Sequence, residues 1–342
     1  MTLSVLAAGT VALHGNVAQA LKPPTSEPRY VPKGEILFGG QGGWDYVSID
    51  PSSHRLFLSH VNKVVVVDTE SQKVIGEIPD TLGVHGVAIA ADLDKGFSSN
   101  GRENEVSVID LKSLKLRSKI AVGDGPDSII YAASTKEVYV FNGKSNSVSV
   151  LSAVNDKLVV TIALPGKPEF AVADKESNRI FVNIEDKNSL VALDLSTHKI
   201  AANWILPGCE GPGGMAQDSK NHRLFIACDN QKMLMLDSGD GKILVTIPIG
   251  EGTDAVVYDS QLQLAYASNG KDGTVTIAQE LSPKELVVVQ TLKTRVGART
   301  IAIDDKSHQI FLPTAKFEPA KKGERAKPID GSQTVLVYGL EK

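Results

Sequence analysis

The chain has 342 residues, 42% hydrophobic and 22% charged, with a net charge of −4. That balance fits one large globular domain or two ordinary ones, because all-β folds often run long as a single unit. Lys and Arg are slightly outnumbered by Asp and Glu, which disfavours a polyanion-binding protein, although 36 basic residues leave room for a local patch and do not exclude nucleic acid.

The first segment in chain order reads as a secretory signal over residues 1–20. Leu3 to Leu13 is a short apolar run, and Ala18-Gln19-Ala20 fits the small-x-small pattern at which such signals are cut. No Lys or Arg precedes the run, a departure from the usual pattern, so an N-terminal extension of a cytoplasmic protein is the alternative. The run falls short of the roughly 20 apolar residues that span a bilayer, and no later segment reaches that length. The expectation is a periplasmic or secreted protein, with residues 21–33 as a leader to the folded domain.

From residue 34 onward the chain repeats. Phe57, Phe97, Tyr139, Phe181, Phe225, Tyr266 and Phe311 are spaced 40, 42, 42, 44, 41 and 45 apart, each inside an apolar run. A second column, Asp68, Asp110, Ser152, Asp194 and Asp237, keeps step at 42, 42, 42 and 43. Two columns at a fixed offset define one unit of about 42 residues copied seven times. The third unit shows its content: strand-like runs at Ser128–Tyr131, Val138–Phe141, Val148–Leu151 and Val159–Ile162, separated by turn residues. Four strands per unit of this length form a propeller blade, and a lone blade leaves both faces exposed, so blades must stack to bury the aromatic column. The fold class expected is all-β: a seven-bladed β-propeller of four antiparallel strands per blade, one domain over 34–342. The seventh unit lacks a fourth strand, and Gly34–Phe38 supplies it, closing the ring and removing sheet edges. Residues 313–333 are an insertion in that last blade.

The repeats resemble the YVTN-type propeller family with its YncE-like bacterial members. Gly125-Pro126-Asp127 followed by Val138-Tyr139-Val140-Phe141-Asn142 and Val148-Ser149-Val150-Leu151 is the best match, and Asp110 and Asp194 match the Asp that closes the third strand. The likeness covers residues about 34–340 and loosens in the sixth unit, where Gln279 replaces that Asp, and in the seventh. It implies a propeller, commonly exported, whose function is not fixed by its fold. Gly43-Trp44-Asp45 carries a Trp-Asp pair, but it opens a first strand instead of ending a third, which argues against WD40 identity.

Second-to-third strand loops and blade-to-blade loops share one face, here called the top. Aligning the units on the aromatic column places Asp45, His85, Asp127, Glu169, Gly213, Asp254 and Arg299 at the mouth of the central channel, one per blade. The loops above add His60, Asn100, Asn142, Asn183, Asp229, Asn230 and Asn269. Carboxylates and amides converging in a ring are hard-cation chemistry, so Asp45, Asp127, Glu169 and Asp254 are the candidate ligands for calcium or magnesium. Equally, Asp and Asn favour turns for their own backbone-capping reasons, and a polar channel mouth is ordinary in a propeller. Ligand-binding candidates on this face are Asp45, His85, Asp127, Glu169, Asp254, Arg299, His60, Asn100, Asn142 and Asn269, with Arg299 suited to an anionic ligand group. The insertion lies on the same face with Lys316, Lys321, Lys322, Arg325 and Lys327 against Glu318, Glu324 and Asp330, and reads either as a functional loop or as a disordered one.

Other chemistry is sparse. His54, His222 and His308 share one column just before the second strand, and His198 lies in another turn of the opposite, bottom face. Cys209 and Cys228, the only cysteines, map to top loops of the fifth unit; an oxidising compartment lets them pair, and two free thiols are the alternative. No Cys-x-x-Cys-His is present, so c-type haem is not expected. The leading reading is therefore a non-catalytic binding or scaffold propeller, monomeric, using its top face for a small molecule or a protein partner. The alternative is a metal-dependent hydrolase or lyase of lactonase type, with His85 as general base.

Overall fold

The computed structural model describes residues 29–319 and 326–341. The signal reading at 1–20, most of the leader and the basic residues Lys321, Lys322 and Arg325 lie outside the described residues.

Seven four-stranded antiparallel sheets account for the described strands. Their inner strands are Val47–Asp50, Val84–Ala90, Pro126–Ala132, Pro168–Asp174, Pro212–Asp218, Thr253–Asp259 and Ala302–Asp304, which open blades 1 to 7 in that order. Each inner strand touches the next and the seventh touches the first, which closes the ring. The only helical elements among the described residues are single 3-10 turns at Ala91–Leu93 and Glu185–Lys187.

The aromatic column explains the period. All seven members are at most 1% exposed. The buried apolar residues divide into seven clusters, each spanning one pair of adjacent blades, and each contains one member of the column. A blade thus supplies one ring to the seam it shares with the next blade, and burying such a side chain stabilises by about 1.5–3 kcal/mol.

The Asp column has a different cause. Asp68, Asp110, Asp194 and Asp237 end third strands, and their carboxylates accept hydrogen bonds from backbone N–H groups two or three residues on, fixing the turn into the fourth strand. The histidine column is also a turn device. His54, His222 and His308 sit in the left-handed region at φ 55, 59 and 56°, as do Asp94, Lys136, Asn178 and Gln263 at the same point of the other four blades. These residues complete the first hairpin turn on the bottom face, so their chemistry is incidental to the top.

Blade 7 closes as expected but over more chain. The closing strand is Tyr30–Leu37, paired antiparallel with Thr334–Leu340, and it begins four residues before the expected Gly34–Phe38. The register shifts between Pro32 and Gly34, which hides the first half of the strand from a pattern search. Tyr30 anchors that half: its ring packs edge-on against Tyr266 at 5.3 Å, and its hydroxyl donates to the carbonyl of His308.

Candidate functional site

The ring residues do converge. His85, Asp127, Glu169, Gly213 and Asp254 are each the second residue of an inner strand. In every one of these strands the pairing register shifts after the first residue, so this position leaves the ladder and faces the lumen. Asp45 and Arg299 take the equivalent places just before the shorter inner strands of blades 1 and 7. Hydroxyls and one amide from the preceding blade fix the backbone here: Ser99, Asn183 and Ser268 donate to the carbonyls of Asp127, Gly213 and Arg299.

The side chains form a charged network. His85 Nδ1 lies 2.6 Å from Asp45 Oδ2 and 3.5 Å from Asp127 Oδ1. Arg299 Nη2 donates to the Trp44 carbonyl at 2.9 Å and lies 3.4 Å from Asp45 Oδ1, while its Nε lies 3.2 Å from Asp254 Oδ2. Lys167, absent from the sequence expectations, stands 3.4 Å from Glu169 Oε2 and pairs also with Glu185. Its signal was two residues away: Lys167 precedes the ring position of blade 4 by that spacing.

Beneath the ring an aromatic side chain crosses the lumen. Tyr46 of blade 1 crosses to blade 4, where its hydroxyl donates to Glu169 Oε1 at 3.3 Å and its ring packs edge-on to Phe170 at 5.3 Å. The mouth is therefore a cup whose floor includes Tyr46 and Phe170. Aligning the units on the seam aromatics reaches the ring position but not Tyr46, which only blade 1 carries at that place.

Burial shapes the charge state. Depth in the lumen pushes the Glu169 carboxyl up to about 7, with the nearby Asp127 charge adding to the effect and Lys167 opposing it. Burial likewise raises Asp254 to about 6 despite Arg299, and raises Asp127 despite His85. His85 moves above the ordinary imidazole value because Asp45 accepts its proton-bearing Nδ1, against the opposing effect of burial. A carboxyl whose folded pKa is raised holds its proton more tightly when folded, so its stabilising contribution is complete below its ordinary value of 4.5 and is lost as pH rises through about 7. With chelator present, Glu169→Gln should raise stability by about 1–2 kcal/mol at pH 8, after discounting for water in the lumen, and leave it unchanged at pH 4. Urea melts at the two pH values measure this, and an equal difference at both would contradict the assignment.

Four of the expected ligand-binding residues stand elsewhere. Asn100, Asn142 and Asn269 are fully buried inside their blades. Their amides tie the second strand to the third through Ser107, through Ser147 and Ser149, and through Thr274 and Thr276. His60 is 2% exposed beneath the Gly39–Gly43 loop, where its Nδ1 lies 2.9 Å from the Gly43 carbonyl and burial lowers its pKa. Gly40, at φ +100°, is required there, because a Cβ would stand 2.3 Å from His60 Nε2. The polar identity of these residues serves blade assembly, which the sequence pattern does not separate from ligand binding. Of the expected metal ligands, Asp45 and Asp127 stand together with His85, whereas Asp254 pairs with Arg299 and Glu169 with Lys167.

The stem of the insertion borders the cup. Phe317 bridges to Pro328, and its ring packs on Trp44 at 6.1 Å, next to Asp45. Cys209 and Cys228 are joined in a disulfide, both nearly fully buried. A separate concavity of about 600 Å³ opens on the bottom face, lined by Gln217, Asp218, Tyr258 and Asp305 among others. Its Asp218 accepts bonds from Asn221 and from the Tyr258 hydroxyl.

The chain is a seven-bladed β-propeller. Its backbone is similar to the RRP9 WD40 repeats, with a TM-score of 0.77 at 11% identity over 92% of this chain and 100% of that one. It is also similar to U3-55K, with a TM-score of 0.73 at 11% identity over 92% and 99%, and to a chain of Kuenenia stuttgartiensis hydrazine synthase, with a TM-score of 0.71 at 16% identity over 80% and 92%. At these identities the likeness shows the fold alone. No family model matches the chain, and no curated protein matches it in sequence. No helix among the described residues is long and apolar enough to cross a membrane.

Proposed function

We propose that this protein is an exported binding propeller whose top-face cup takes a small polar ligand, or a polar segment of a protein partner, without covalent chemistry. The observation that carries the reading is the cup: six ionisable ring side chains above the Tyr46–Phe170 pair. A polar, lumen-facing recess with convergent charges suits ligand capture. The resemblance of the repeats to the YVTN-type family supports export, and the Cys209–Cys228 disulfide fits an oxidising compartment.

The test is a thermal-shift screen of sugars, hydroxy acids, amino acids and short peptides, in chelator, followed by calorimetry on any binder. A ligand at about 100 times its Kd should add roughly 2.7 kcal/mol of stability. Asp127→Ala and Glu169→Ala should each weaken that ligand about 10–100-fold, the worth of one hydrogen bond to a charged group. Unchanged affinity in both variants places the binding elsewhere and overturns the reading.

A further inference from the structure

We infer that the corner of the cup formed by Asp45, His85 and Asp127 is a binding site for one divalent d-block cation of the zinc class; the inference rests on the cup described above as a ligand site but not on its organic ligand.

The geometry is that of a tripod. Asp45 Oδ2, His85 Nδ1 and Asp127 Oδ1 come from three consecutive blades, and these atoms all lie within 4.8 Å of one another. Zinc sits about 2.0–2.2 Å from imidazole nitrogen and carboxylate oxygen, which puts neighbouring donors roughly 3.0–3.5 Å apart around it. The two measured separations from His85 Nδ1, 2.6 and 3.5 Å, bracket that range, so an ion replaces the shared proton with small side-chain shifts.

Donor chemistry selects the ion. Calcium takes six to eight oxygens. The amides that could have supplied them, Asn100, Asn142 and Asn269, are sealed inside their blades, and Asp254 is occupied by Arg299. What remains is one imidazole and two carboxylates with an open side toward the mouth, a set suited to zinc and its neighbours.

Two further observations point the same way. Asp45 is oriented from behind: Arg299 holds its Oδ1 side, Thr300 donates to its carbonyl, and its N–H donates to Ser59, so that Oδ2 is aimed at His85. Outer groups that orient a ligand in this way are a regular part of metal sites. Independently, Glu169 Oε2 is buried in the same cup, with Lys167 Nζ beside it at 3.4 Å. A buried carboxylate oxygen with a single long contact retains capacity for a further partner.

The experiment uses the full chain, stripped with chelator and dialysed, then titrated with zinc, manganese, calcium and magnesium chlorides by calorimetry, with bound metal counted by mass spectrometry after equilibrium dialysis. One zinc per chain is expected, with calcium and magnesium much weaker. His85→Ala and Asp127→Asn should each weaken zinc by about 100-fold or more, since even outer-shell losses cost 10–100-fold. Asp94→Asn, in a turn of the bottom face, should leave it unchanged, and circular dichroism verifies that each variant is folded. Less than a fifth of a zinc per chain, or equal affinity in wild type and the His85→Ala/Asp127→Asn double variant, overturns the site. Zinc bound in the tripod with no organic ligand found would overturn the proposed function and keep the metal site; an organic ligand bound in chelator with no zinc would do the reverse.

Discussion

Phe225→Ala is expected to lower the stability of the propeller by about 3–5 kcal/mol, the largest loss of any substitution considered. Phe225 is fully buried in the seam between blades 5 and 6, and its ring stacks on Tyr258 at 4.8 Å. The hydroxyl of Tyr258 in turn lies 3.1 Å from Asp218 Oδ2 and 2.8 Å from Glu280 Oε2. Removing the phenyl group leaves a cavity in a seam of two rigid sheets, which cannot collapse around it, and it also loosens the support of a phenol that two buried carboxyl groups use. Phe225→Leu should lose less, because it refills part of the volume. Val154→Ala serves as the control: Val154 is 54% exposed, and its truncation should stay within about 0.5 kcal/mol of wild type. Chemical denaturation measures all three, and similar losses for Phe225→Ala and Val154→Ala would contradict the seam account.

Opening the Cys209–Cys228 disulfide is expected to cost about 2–4 kcal/mol. The bridge spans 19 residues and ties the connection from blade 4 to the end of the second strand of blade 5. Cross-linking a loop of that size removes entropy chiefly from the unfolded chain, so the loss should appear in the midpoint with the folded far-UV spectrum preserved. Cys209→Ala/Cys228→Ala and reduction of the wild type should give matching shifts. A midpoint indifferent to reductant would contradict this. The same bridge holds the top loop beside Gly213, the one ring position without a side chain, so its opening should also raise hydrogen exchange at residues 206–211.

The propeller was legible because its cause is periodic. One ring per seam needs one aromatic residue per repeat, so seven copies of the same physical demand stand in step along the chain. The ring of lumen residues was legible for a related reason, since the inner strand leaves its ladder at the same point in each blade. The contents of the cup were only half legible. Asp45, His85 and Asp127 meet as expected, but alignment cannot show that Arg299 turns toward Asp254, nor that Tyr46 crosses the lumen to Glu169 and Phe170. Those are single events in individual blades. Asn100, Asn142 and Asn269 misled for the opposite reason: they do repeat, and what repeats in a propeller is first of all what holds a blade together. Lys167 stands two residues before the aligned column, where the repeat carries no information about its pairing with Glu169.

Blade 7 carries one more implication, for the order of assembly. Its strand Tyr30–Leu37 has no partner until Thr334–Leu340 exists, although the six seams between blades 1 and 7 can form one after another as the chain is made. The thermodynamic penalty for joining such distant segments is small: a tenfold longer loop costs only about 2 kcal/mol more. The penalty is one of time. Throughout synthesis the first strand of the domain stays unpaired, and the blade it completes is the last to be made. An unpaired strand recruits other edges. Tyr30 bears on both problems, since its ring and hydroxyl lock onto Tyr266 and His308 of blades 6 and 7, so the register is selected at the moment the ring shuts.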